Sequence, residues 1–98
     1  MVNLNYWPNL GYVNIKAMKY YHYIIIDDEI AEFRGEVQTI PVDFIEYQVT
    51  MTGERVFYKS SNGILKEIIA EGGNADSAER RANEFLSALN VNLSLGMP

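Results

Sequence analysis

Residues 44–59 read FIEYQVTMTGERVFYK, and their pattern decides the fold class. Between Phe44 and Met51, the side chains of Ile45, Tyr47, Val49 and Met51 fall on one face of an extended chain and those of Glu46, Gln48 and Thr50 on the other. That period of two is what a strand with one dry face requires. Thr52-Gly53-Glu54 is a short glycine-bearing turn, and Arg55 to Lys59 returns with Val56 and Tyr58 together. The two runs read as a β-hairpin whose first arm is the clearest strand in the chain.

Toward the N-terminus, Lys19 to Ile26 is dominated by aromatic and β-branched residues, suited to a pleated, half-buried surface, and Asp27-Asp28 closes it as a turn. Glu29 to Arg34 then reads as a short strand, Gly35 as a bend, and Glu36 to Ile40 as a further extended run. Toward the C-terminus, Ile64 to Glu71 fits two templates. Ile64, Leu65, Ile68 and Ile69 form a helical stripe, yet a short apolar run before Gly72-Gly73 fits a last strand equally. The spacing of Gly53 and Gly63 favours the strand, which completes a three-stranded meander. A helix follows from Ser77 to about Asn90, with Asp76 or Ser77 as its cap and Glu79 as capping partner. Its apolar stripe is Ala78, Ala82, Phe85, Leu86 and Leu89, and its polar face is led by Arg80, Arg81 and Glu84.

The expected fold class is α+β, an antiparallel sheet of about five strands, flat or curled, with one C-terminal amphipathic helix buried against it. A chain of 98 residues is one domain's worth. Residues 1–98 are read as that single domain, 1–17 being an irregular aromatic-rich segment and 91–98 a tail. The order of strand, acidic turn, strand, hairpin and closing helix resembles that of small bacterial pleckstrin-homology-like domains. It does so over roughly Tyr20 to Asn90, as in Ile26-Asp27-Asp28-Glu29-Ile30 and Thr39-Ile40-Pro41-Val42. The resemblance implies an interaction module and brings no functional residue with it.

Composition narrows the function further. There is no cysteine, so neither a disulfide scaffold nor a cysteine-based zinc site is available, and the cytoplasm is the expected compartment. The most apolar run, Tyr20 to Ile26, is far short of the roughly 20 residues that span a bilayer. The formal net charge of −5 disfavours attraction to phosphate backbones, so direct nucleic-acid binding is not expected. Asp27 to Glu54 holds eight acids against one base, Arg34. These carboxylates read either as solvated positions that aid solubility or as an acidic surface for a basic partner.

No catalytic set is legible. His22 is the one histidine and lies inside an aromatic strand, where an ordinary residue that faces solvent or a satisfied polar neighbour is the expected reading. Asp27-Asp28-Glu29 lacks the spacing of a calcium loop, and no serine sits in a nucleophile elbow. No cofactor or metal is expected. Aromatic residues crowd the first quarter of the chain, including Tyr6, Trp7, Tyr12, Tyr20, Tyr21 and Tyr23. Such rings serve as core or as interface anchors. The expectation is a non-enzymatic protein-interaction module. Its partner is another protein or a second copy in a homo-oligomer, and the contact residues are Trp7, Tyr20, Tyr21, Tyr23, Asp27, Asp28 and Glu29. The alternative is an acidic inhibitor, of the kind mobile genetic elements encode, that blocks a basic nucleic-acid-binding surface.

Overall fold

The structure, a computed structural model, describes residues 18–96, with side chains described through residue 90. Five strands form one open antiparallel sheet: β1 (Lys19–Ile26), β2 (Glu29–Val37), β3 (Ile45–Gln48), β4 (Arg55–Ser61) and β5 (Ile64–Gly72). A single helix, α1 (Ala75–Gly96), follows them. The strand order is β2-β1-β5-β4-β3, so the α+β reading holds, and the chain that leaves β2 at one edge must cross to β3 at the other. No helix among the described residues is long and apolar enough to cross a membrane.

The period of two sorts the side chains. Tyr21 pairs with Ala70, Tyr23 with Ile68, and these in turn with Val56 and Tyr58 on β4, so all of them face one way. Against that face lies α1 with Ala78, Ala82, Phe85 and Leu86, and together with Ile25 and Leu65 they make the core. Ile68, Ala70, Val56, Ala78 and Ala82 have no measurable exposure. An isoleucine buried so completely contributes about 1.5–3 kcal/mol. His22, Glu67, Ile69, Phe57, Lys59, Tyr20 and Glu71 project to the opposite face. There Ile69 is 1% exposed between His22 and Phe57, and the crossover of residues 38–44 meets the same side at two points. Phe44 meets the His22 ring edge-on at 6.4 Å, and Asp43 binds Lys59 at 3.0 Å.

Several local readings change. The bend expected at Gly35 is a bulge in one continuous strand: His22 pairs with Gly35 and Tyr23 with Phe33, leaving Arg34 over. Gly35 has φ of +97°, where a side chain would be strained. The strand ends at Val37, short of the expected Ile40. The clearest strand of the sequence is the shortest in the fold, with all four residues of β3 exposed. Alternation stops at Gln48 because Val49 N–H donates to Glu54 C=O at 2.7 Å and Gly53 N–H to Thr50 C=O at 3.2 Å. Met51 consequently stands 99% exposed instead of extending the buried face. The 64–71 segment is the strand β5. The helix starts at Ala75 and reaches past the expected end at Asn90. Its cap is Asn74, neither Asp76 nor Ser77: Asn74 Oδ1 accepts from Ser77 N–H at 2.8 Å, a bond that contributes about 1 kcal/mol. Arg81, expected on the polar face, is 9% exposed. Its guanidinium donates to Glu71 C=O and binds Glu54 at 2.9 Å, which fastens the helix to the end of β5 and to the β3–β4 turn.

That junction depends on a missing side chain. A Cβ on Gly72 would stand 2.7 Å from the Ala78 nitrogen and 3.0 Å from its Cα. Gly72→Ala is expected to push back the first turn of α1 and lower stability by about 1–3 kcal/mol in urea unfolding. Tyr23 gives a second check. Its hydroxyl, in a residue 1% exposed, donates to Ala75 C=O at 3.3 Å. Burial, helped by Glu79, Tyr21 and Asp76, pushes its pKa from 10.0 up to about 12. Below pH 10 both states keep the proton. Above it the unfolded chain ionises first, so the contribution of Tyr23 to stability should fall between pH 10 and about 12. Tyr23→Phe should flatten that part of the alkaline stability profile.

Candidate binding surface

Two tight turns sit side by side at one end of the sheet. Asn62-Gly63 joins β4 to β5 with φ of 54° and 77°, and Asp27-Asp28 joins β1 to β2 with φ of 55° and 63°. Asn-Gly is the pair that a two-residue hairpin with both φ positive favours. Asp-Asp is not: a side chain in the left-handed region costs on the order of 1 kcal/mol, somewhat less for Asp than for most, and the two charges repel.

Between these turns, β3, β4 and α1 is a cleft of about 560 Å³, within the usual range for a ligand site. Its aromatic wall is Tyr47, Tyr58 and Phe85. The Tyr47 ring meets Phe85 edge-on at 5.0 Å and the Tyr58 ring stacks on it at 5.3 Å. Leu65 and Leu89 line it with them, Asp27 and Asp28 stand at the rim, and Ile64 beside them is 56% exposed. On the other side of the Asp27-Asp28 turn is a polar cleft of about 420 Å³ with Asp28, Glu29 and Glu79 among its lining.

Charge gathers at the same end. Of the acids between Asp27 and Glu54, Glu32 pairs with Arg34, Asp43 with Lys59, Glu46 with Arg55 and Glu54 with Arg81. Asp27, Asp28, Glu29 and Glu36 form no ion pair among the described residues, and the first three are consecutive and exposed. The Asp43 and Lys59 partners hold each other charged: Lys59 lowers the Asp43 pKa chiefly through their hydrogen bond, and Asp43 raises that of Lys59.

The sequence-predicted contact residues are dispersed. Trp7 lies outside the described residues. Tyr21 and Tyr23 are in the core beneath α1. Tyr20 is half-buried on the opposite face, where its hydroxyl donates to Glu71 Oε2 at 3.1 Å. Arg55 binds the same carboxylate oxygen at 3.0 Å, which holds the guanidinium firmly charged. Burial first, and then Glu71, raise the Tyr20 pKa. His22 is on that face too, 2.7 Å from Glu67. Only Asp27, Asp28 and Glu29 come together at an open surface. The aromatic walls were missed as a site. Tyr47 and Tyr58 share a face of the hairpin, and Phe85 and Leu89 are four apart on the helical stripe, but their meeting beside the aspartates is a tertiary fact.

No family model, curated protein or solved structure matches the chain significantly. The likeness to pleckstrin-homology-like domains is one of pattern. Among the described residues no group of three or more His, Asp or Glu could hold a metal ion.

Replacing Asp27-Asp28 with the favoured pair separates strain from use. Asp27→Asn with Asp28→Gly is expected to stabilise the domain by roughly 1 kcal/mol in thermal or urea unfolding, because it relieves both the left-handed Asp28 and the charge repulsion.

Proposed function

We propose that this domain is a non-enzymatic protein-interaction module that docks a partner at the Asp27-Asp28 end of the sheet. The observation that carries this reading is the coincidence of an aromatic-walled cleft with the three consecutive carboxylates that lack a described counter-ion. Unneutralised surface acids steer a basic partner and fix its register, while a desolvated aromatic wall supplies the contact area. The polar groups that line the cleft are two neighbouring carboxylates, tyrosine hydroxyls and Ser60. His22 is on the opposite face, engaged with Glu67, which favours recognition over acid–base work.

A separate partner is favoured over self-pairing through a strand edge. One edge, β2, carries Glu29, Glu32 and Glu36 and is interrupted by two register shifts; the other, β3, is four residues long. Both are devices that discourage strand addition. The acidic-inhibitor reading is a special case of the same surface, with a basic nucleic-acid-binding protein as the target.

The test is affinity capture with the wild-type chain and with Asp27→Lys, Asp28→Lys, Glu29→Lys combined, each checked for folding by circular dichroism. Partners retained by the wild type should be lost from the reversed variant and should elute from the wild type as salt rises. Equal retention by both would remove this surface as the contact.

A further inference from the structure

The cleft is specific enough to name what enters it. We propose that it receives an arginine side chain of a partner protein, an inference that rests on the interaction-module reading above.

Three features of one cavity converge on that chemistry. The wall is aromatic, with Tyr47 and Tyr58 set around Phe85 at 5.0 and 5.3 Å, and aromatic rings attract a cation. The rim supplies Asp27 and Asp28, two adjacent carboxylates without a described counter-ion. Leu65, Leu89 and Ile64 supply apolar surface for an aliphatic stem. A planar guanidinium on a three-carbon stem matches all three at once: it stacks on rings, presents a fork of donors to carboxylates and sheds its water more readily than an ammonium. A purely apolar occupant would leave the aspartates facing a hydrophobic group. A bare cation would leave the apolar surface of Leu65, Leu89 and Ile64 unused.

The turn itself agrees. The adjacent hairpin uses Asn62-Gly63, whereas this one holds two aspartates at φ of 55° and 63°. Its conformation does not require the carboxylates, and their placement at the mouth of the cleft matches a use in binding.

The experiment is calorimetric titration of the full chain with an acetylated, amidated heptapeptide of alternating serine and valine carrying one central arginine. The control is the same peptide with citrulline, which keeps the shape and removes the charge. The arginine peptide should bind at least tenfold more tightly than the citrulline peptide. Its binding should weaken at least tenfold in the Asp27→Asn, Asp28→Gly variant, although that variant melts higher, and also in Tyr47→Ala. Equal affinity for the two peptides, undiminished binding by the Asn-Gly variant, or no binding of the arginine peptide overturns the proposal. So does a change of the Asp27, Asp28 and Tyr47 amide signals with protein concentration in the absence of peptide, since a second copy would then fill the cleft. If the peptide fails while captured partners still depend on Asp27, Asp28 and Glu29, only the arginine assignment falls. If captured partners ignore those residues, the interaction surface falls with it.

Discussion

Everything in this fold hangs on β5, whose second half, Ile68 to Gly72, is buried on both faces. Ile68 and Ala70 point toward α1, while Ile69 points the other way and is buried as well. β5 is also the middle strand, so its backbone pairs on both sides, with β1 and with β4. Its last residues receive the helix: Glu71 offers its carbonyl to Arg81 and Gly72 lets the first helical turn come close. A buried strand must have each polar backbone group paired, and these two neighbours and one guanidinium supply the partners.

The same burial explains what could be read from the sequence. β1 was legible with its bounds because aromatic and β-branched residues fill it and Asp27-Asp28 closes it, although which of them face inward, Tyr21, Tyr23 and Ile25, was not. β5 was ambiguous because a strand covered on both faces loses alternation and resembles a helical run. β3 misled in the opposite direction: its alternation is clean, yet a side chain-assisted turn at Thr50 ends it early and leaves it an exposed edge. The helical stripe was correct in each of its members, but Arg81, between stripe positions, could not be seen as buried without knowing that Glu54 and the Glu71 carbonyl meet it. Of the surface, the consecutive acids were visible as charge. The tyrosines that wall the cleft belong to different strands, and only the register of β3 on β4 and the placement of α1 bring them together.

The two faces of the sheet divide the labour. On the crossover side, polar groups satisfy one another: Tyr20 and Arg55 share Glu71, His22 meets Glu67, and Asp43 meets Lys59. On the helix side the core at the Gly72 end is closed by Arg81 on the Glu71 carbonyl and Glu54, and the two turns at the other end leave part of the aromatic layer uncovered. Strain and unneutralised charge collect there at Asp27-Asp28, while the better-behaved Asn62-Gly63 turn beside it is made of the residues that such geometry prefers. Departures of that kind concentrate where a protein trades stability for use.

The strand order carries a consequence for how the chain assembles. β1 and β2 are joined by a two-residue turn, and β3, β4 and β5 form a meander, so each group can zip from its own local turns. Their union is a different kind of event. Tyr20 meets Glu71 across 51 residues of chain, and closing so long a loop costs entropy before any contact repays it. Two locally formed sheets docking along the β1–β5 seam, with the helix sealing the joint, therefore make the late and cooperative step in folding. Neither half can bury Ile68 without the other, because that residue sits on the seam.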